Sequence, residues 1–351
     1  MATPVLDERG REVLKMLIRL HIATGEPVGS ESLARHMNRA VSPATLRNIM
    51  ADLEKLGYLD QPHTSAGRMP TDDGYRMYVD SLMHHQPLPA REAAAIASEL
   101  RPREASPSQV METASHLLSR LSRHVGFVLA PELGRATFRH LDLVRLPHPR
   151  ILVVMVSRNG IITHKVVEIE EELAQEDLQA CANYLNTHFA GMTLSGIRAR
   201  LLALMGEEKA LYDSLLKRVL AVGQRAFAAD AAGDATANVY LDGTANMLDQ
   251  PEFEDVTRMR AVFKAFEEKG RLVKILNACI SGDGVRVVIG HEVPDPELSD
   301  LSLVTASYPV DGEDGWGLGV MGSTRMEYAH VVSIVDQVAR AVSQALKELR
   351  L

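Results

Sequence analysis

The residues of this chain best placed to do chemistry form a polar surface rather than a catalytic cluster. In the run Ser42-Pro43-Ala44-Thr45-Leu46-Arg47-Asn48, the last two side chains have the donor geometry that reads DNA. Arg suits the paired acceptors of guanine in the major groove, and Asn suits the donor and acceptor of adenine. Ala44, Thr45, Arg47 and Asn48 are therefore the candidates for base edges. Ser42, His63 and Arg68 are candidates for the DNA backbone or minor groove, where contacts set register rather than sequence. Ser42 also has a rival role as a helix cap.

Other chemistry finds little support. Gly317, Gly319 and Gly322 spell GxGxxG, but they follow an acidic turn rather than opening a βαβ unit. The twentieth residue beyond them is Val342, not the acid that would hold a ribose. These glycines read as an irregular strand near the last helix. No Walker loop occurs, and the 13 histidines show neither a triad nor HExxH. His84 and His85 lack a Cys or carboxylate at ligand spacing, so no metal is expected. Cys181 and Cys279 lie far apart in apolar, helix-like surroundings and read as reduced core residues. Arg325 and Glu327 suit a salt bridge or cap at the last helix. The chain reads as a non-enzyme without a cofactor.

The elements that position the polar run are legible. Ser42 followed by Pro43 starts a helix, because the hydroxyl accepts from an orphan amide and proline gives up an amide that had no partner. Leu46, Ile49, Met50, Leu53 and Leu56 make one apolar stripe, and Gly57 supplies the left-handed stop. Tyr58-Leu59 reads as a short strand, and Gln61–Gly67 holds the turn formers Pro62, Ser65 and Gly67. Upstream, Leu6, Val13, Leu14, Leu17 and Ile18 make a first helix. A second, capped by Ser30, buries Leu33, Ala34 and Met37, and a turn over 38–41 leads into the third. Helix, helix, turn, helix, wing is the winged-helix order. From Thr71 a capped helix carries Tyr75, Tyr78, Val79 and Leu82 on one face, and His84–Pro89 reads as a linker.

The run from Gln61 to Asp80, QPHTSAGRMPTDDGYRMYVD, resembles the signature of the HrcA heat-shock repressors of bacteria. GTANMLDQPEF over 243–253 and GSTRMEYAHVVSIVDQVARAVS over 322–343 extend the resemblance over nearly the whole chain. The chain departs from the pattern at Ser323, where the family usually has Pro, and at Val293, where it usually has Asn. The resemblance implies a cytoplasmic homodimer that binds an inverted-repeat (CIRCE-type) operator before the chaperone operons groE and dnaK. It also implies that the chaperonin GroEL keeps the repressor folded and active until heat stress diverts it. Two rival readings remain open: a small-molecule sensor or enzyme, and a winged helix used for protein contacts.

Length and charge agree with a regulator of several domains. A chain of 351 residues exceeds one winged helix and allows two or three cores. Lys and Arg number 38 against 46 Asp and Glu, net −8, of which residues 1–86 carry 10 against 11. DNA binding must rest on a local patch, and no acid occurs between Ser32 and Ala51. The start MATPVLDERG has neither a basic start nor an apolar run, and no segment approaches the apolar length of a membrane span.

Beyond the linker, β-rich segments over 126–130, 138–146, 151–157 and 161–169 open an antiparallel sheet, with Arg158-Asn159-Gly160 as a hairpin signal. Helical pattern fills 173–227 and 256–280, with a short strand at 239–241 between them. Strands return over 285–290, 301–308 and 318–321, and a last helix spans 326–349. The expected class is α+β: a winged helix-turn-helix over 1–86, then an α/β domain carrying a long, mostly helical insertion. By the resemblance, that α/β domain is GAF-like over 87–172 and 281–351, and the insertion over 173–280 is a dimerisation domain.

Overall fold

The computed structural model describes residues 6–37, 41–63, 66–84, 86–101, 106–130, 137–158, 162–169, 171–205, 214–227, 239–248, 250, 256–280, 284–308 and 317–349. The expected turn over 38–41 and the Arg158-Asn159-Gly160 signal fall largely outside these residues.

The N-terminal part has the expected order: α1 (Glu8–Thr24), α2 (Ser30–His36), α3 (Pro43–Lys55), β1 (Leu59–Asp60), β2 (Met69–Pro70) and α4 (Asp72–Met77). Each start follows local chemistry. The Asp7 carboxylate accepts from the Gly10 amide, Ser42 from Thr45 and Thr71 from Gly74. The expected cap of α2 is corrected. Gly29 occupies that position without a side-chain bond, and Ser30 is the first helical residue. Leu46, Met50 and Leu53 of α3 are buried against α1 and α2 with Val13, Leu14, Leu17, Ile18 and Leu33. Each such side chain contributes about 1.5–3 kcal/mol relative to exposure. Strands β1 and β2 pair antiparallel, Leu59 opposite Pro70 and Asp60 opposite Met69.

The helix after Thr71 ends in a π-helical turn over Tyr78–Leu82, where the Met83 amide reaches the Tyr78 carbonyl. The stretch read as a linker is pinned rather than loose. Lys15 Nζ lies 3.1 Å from His84 Nε2, and Ser333 Oγ donates to the Gln86 carbonyl at 2.6 Å. Helices α5 (Ala90–Glu99) and α6 (Pro107–Ser122) follow, the latter closed by a reciprocal Ser106–Gln109 capping box.

Two separate antiparallel sheets form where one was expected to open. The larger has the order β7 (Val239–Asp242), β3 (Val125–Leu129), β10 (Gly317–Ser323), β9 (Leu301–Ser307), β8 (Val285–Ile289). Side chains alternate across it as period-two strands require. Val128, Val304, Leu318 and Val320 face the core shared with α6 and α12 (Tyr328–Glu348). Phe127, Leu129, Leu303 and Met321 face α10 (Val256–Glu267) and α11 (Lys269–Cys279). The GxGxxG run is therefore not irregular: β10 is central and pairs in unbroken register with both β3 and β9.

The smaller sheet has the order β4 (Phe138–Arg145), β5 (Arg150–Ser157), β6 (Ile162–Glu168). It shares its own core with α7 (Gln175–Phe189), α8 (Leu194–Met205) and α9 (Ser214–Ala226), including Leu141, Val153, Cys181, Leu185 and Val219. Core membership thus divides the chain differently from the boundaries at 172/173 and 280/281. The strands over 138–168 pack with the helices of 175–227, whereas β7, α10 and α11 belong to the five-stranded sheet. Because β3 and β7 are hydrogen-bonded neighbours, the separate unit leaves and re-enters the larger sheet at one edge. Periodicity reveals elements, but it does not say which core an element joins.

Both cysteines are buried and free, and burial pushes each thiol up to about 11. Among the described residues, no helix is long and apolar enough to cross a membrane, and no group of three or more His, Cys, Asp or Glu is placed to hold a metal.

Candidate nucleic-acid interface

The start of α3 presents the polar run to solvent because its opposite stripe is buried. Ala44, Arg47 and Asn48 are exposed, while Thr45 is half-buried. The Thr45 amide donates to Ser42 Oγ at 3.2 Å, and the two hydroxyls lie 2.8 Å apart. Ser42 is thus the cap its position suggested, and its hydroxyl remains on the same end of the helix as Arg47. Neither Arg47 nor Asn48 has a hydrogen-bond or ion-pair partner among the described residues. An uncommitted guanidinium and carboxamide on a rigid, capped helix start can bond base edges without first breaking a protein contact.

The wing places His63 and Arg68 differently. His63 is exposed on the outgoing arm, where its carbonyl accepts from the Ala66 amide. Arg68 sits at the wing's root, not on its open edge. Its Nε donates to Glu54 Oε2 at 2.7 Å, and its side chain is only 14% exposed. Its backbone exchanges two hydrogen bonds with Val28, at 3.0 and 2.9 Å, an isolated antiparallel bridge beside the two-stranded wing. Sequence reasoning missed Glu54, which lies 14 residues before Arg68 and shares no local motif with it.

The remainder of the signature run docks the winged helix on the five-stranded sheet. Arg76 Nε donates to Glu292 Oε1 at 2.8 Å, Nη2 bonds Glu292 Oε2 and donates to the Val287 carbonyl at 2.8 Å, and Nη1 reaches Asp80 at 3.2 Å. The Asp72 carboxylate accepts from the His291 amide at 3.0 Å and lies 2.9 Å from its Nδ1. Gly290 makes that approach possible: a Cβ there would lie 2.0 Å from Asp72 Oδ2, and its φ is +52°. The Asp72 hydrogen bond holds the His291 imidazole above its ordinary value against partial burial, with Asp73 and Glu292 adding to the effect. Burial pushes the Glu292 carboxyl up, but Arg76 and the Ile289 amide outweigh it and hold it low. Tyr75 packs on Tyr328 with ring centroids 5.8 Å apart. Arg325, expected in a local bridge or cap, donates to the Ile22 carbonyl at 2.9 Å and so ties α12's approach to α1. Apart from the i,i+4 spacing of Arg76 and Asp80, no local sequence signal gives this clasp away, since its partners lie some 216 residues on.

One departure from the family pattern has a visible account. The Ser323 amide donates to Gln250 Oε1 at 3.3 Å, a bond proline could not make. Val293 is buried in the core of the sheet's second face.

Comparison with known proteins agrees with this arrangement. Residues 5–82 match a family model described as "Winged helix-turn-helix transcription repressor, HrcA DNA-binding", and residues 108–332 match "HrcA protein C terminal domain". The heat-inducible transcription repressor HrcA of Geobacter sulfurreducens is 41% identical over 343 residues, covering 97% of this chain and 98% of that protein. That of Syntrophobacter fumaroxidans is 38% identical over 345 residues, covering 98% of each. A crystal structure of a hypothetical protein superposes with a TM-score of 0.65 at 21% identity, over 98% of this chain and 99% of that one, a likeness of fold alone. A matched model over each part of the chain, with relatives aligned nearly end to end, places this chain in the HrcA family, whose named relatives are heat-inducible transcription repressors.

Proposed function

We propose that this chain is a cytoplasmic repressor that binds the inverted-repeat (CIRCE-type) operator of the groE and dnaK chaperone operons as a homodimer. Its family consists of repressors rather than enzymes. The observation that carries the reading is the uncommitted Arg47–Asn48 pair on the capped start of α3. Ala44, Thr45, Arg47 and Asn48 take base edges, and Ser42 and His63 take the backbone or minor groove. The phosphate or minor-groove role first given to Arg68 competes with its bond to Glu54.

An inverted repeat requires twofold symmetry in the protein. The outer face of the three-stranded sheet supports a dimer there. Val144, Leu152 and Val166 form one cross-strand row on it, and Val156 and Ile162 form another. Ile162 is 64% and Val166 53% exposed, an apolar face that a second copy would cover. Two further parts of the proposal come from the resemblance: GroEL maintains the active fold, and heat stress ends repression by diverting it.

Fluorescence anisotropy of a labelled chaperone operator against scrambled DNA, across a salt series and with or without chaperonin, tests this. Wild type is expected to prefer the operator by about a thousandfold or more. Equal binding of both DNAs with chaperonin present would sink the repressor reading and favour a winged helix used for protein contacts. Light scattering of Val166→Glu tests the dimer: the variant is expected to run as a monomer where wild type is a dimer.

A further inference from the structure

The wing is fastened at its root at two points, and a third bond closes it internally. Its returning arm exchanges two backbone hydrogen bonds with Val28, in the connection between α1 and α2. Gln61 Nε2 ties the outgoing arm to the Ala66 carbonyl at 3.0 Å. Arg68 then spans to the last turn of α3 through Glu54. The fit at the first point is tight, since a Cβ on Gly67 would lie 2.4 Å from the Val28 carbonyl carbon. Of the three, the Arg68–Glu54 pair alone joins the wing to the reading helix by side chains at both ends.

We infer that Arg68 and Glu54 are positioning residues that fix the angle between wing and reading helix, and that Arg68 does not contact DNA. This rests on the operator-binding proposal above. With its side chain only 14% exposed and its Nε bonded to Glu54, Arg68 could turn its guanidinium fully to a phosphate only by leaving the Glu54 carboxylate. Doing so would leave that half-buried charge unpaired beside the polyanion, a penalty that one new phosphate bond does not offset. Kept as a pair, the two charges cancel. The guanidinium holds the wing root while Arg47 and His63 meet the duplex at both ends of a fixed span.

The two roles give opposite signs for one substitution. Glu54→Gln is nearly isosteric and removes no positive charge. A phosphate-contacting Arg68 would be released by it, and operator binding would tighten. A positioning pair predicts weaker binding, by about three- to tenfold, with an unchanged salt slope.

A second readout does not depend on any operator. In DNA-free full-length protein, a nitroxide on Pro62→Cys reports wing mobility, and the buried Cys181 and Cys279 are left unlabelled. Glu54→Gln and Arg68→Gln should each loosen the label to a similar extent. Lys55→Gln, which breaks an exposed pair with Asp52, should not. Unchanged label mobility in Glu54→Gln overturns the inference. So does tighter operator binding by that variant together with a salt slope flatter by about one in Arg68→Gln. Failure of wild type to prefer the operator removes the repressor reading, while the label measurement still decides whether the pair fixes the wing.

Discussion

Two arginines twenty-nine positions apart in the winged helix have opposite fates, and the contrast separates its two working surfaces. Arg47 is exposed and uncommitted on the start of α3, while Arg76 is fully engaged by Glu292, Asp80 and the Val287 carbonyl. A side chain that must recognise an external partner is kept free of internal ones, because every protein bond it makes must be broken on binding. A side chain that holds domains together is saturated, because a half-satisfied charge in a partly buried joint is costly. The same division runs through the signature run. Gln61–Arg68 builds the wing, whereas Asp72–Asp80 grips the sheet, so a sequence motif of this kind belongs to two surfaces at once.

The largest effect should come from the layer both surfaces share. Leu46→Ala removes a side chain that is fully buried beneath the reading face and should cost about 2–5 kcal/mol of stability in chemical denaturation. It should abolish operator binding without discriminating between surfaces. Arg47→Ala is the sharper cut: about 1–3 kcal/mol of operator-over-scrambled discrimination lost in anisotropy, with an unchanged melting curve. A melting temperature that fell with the discrimination would place Arg47 in the fold, not in the groove.

The docking surface should answer in the reverse way. Gly290→Ala adds a Cβ where the Asp72 carboxylate stands and asks alanine to hold φ +52°. The backbone term alone is about 1–2 kcal/mol. Melting should shift accordingly. Binding to a single half-site should hold while binding to the full inverted repeat weakens, because the reading face is intact and only its placement is disturbed. If half-site and full-site binding fall together, the clasp and the reading face are not separable.

Much of this was legible in sequence where the determinants are local. The cap at Ser42, the stripe through Leu46, Met50 and Leu53, the stop at Gly57 and the cap at Thr71 each depend on residues within a turn or two, and each is found as expected, whereas Leu56, read into the same stripe, is exposed. What could not be read is pairing between distant segments. Nothing near Arg68 in sequence marks Glu54 as its partner, and nothing near Arg76 marks Glu292. The strands over 138–168 have the alternation of sheet elements, yet alternation is the same whichever sheet they join. The helices over 256–279 look like those over 175–227, although they pack on different cores. Local chemistry fixed the elements, and long-range charge and shape complementarity fixed their assembly.

The smallest expected effect is also the most specific to the docking surface. With its folded-state value raised above the ordinary value near 6.5, His291 binds its proton more tightly in the docked state than in the undocked or unfolded state. Its contribution is therefore fully present below that ordinary value and is lost as pH rises through the raised folded value. The imidazole is mostly exposed, so the gain is modest and salt-sensitive. As pH rises from the ordinary value through that raised one the clasp should loosen slightly, seen as faster amide exchange at the Asp72-bonded His291 amide and in α4 after correction for intrinsic rates. Asp72→Asn, which removes the charge that raises the imidazole, should flatten this dependence and bring the His291 NMR titration back toward its ordinary value. Arg47→Ala should leave both unchanged. A pH dependence that survived Asp72→Asn would have to come from another titrating group, and the pairing of His291 with Asp72 would then not be what sets it.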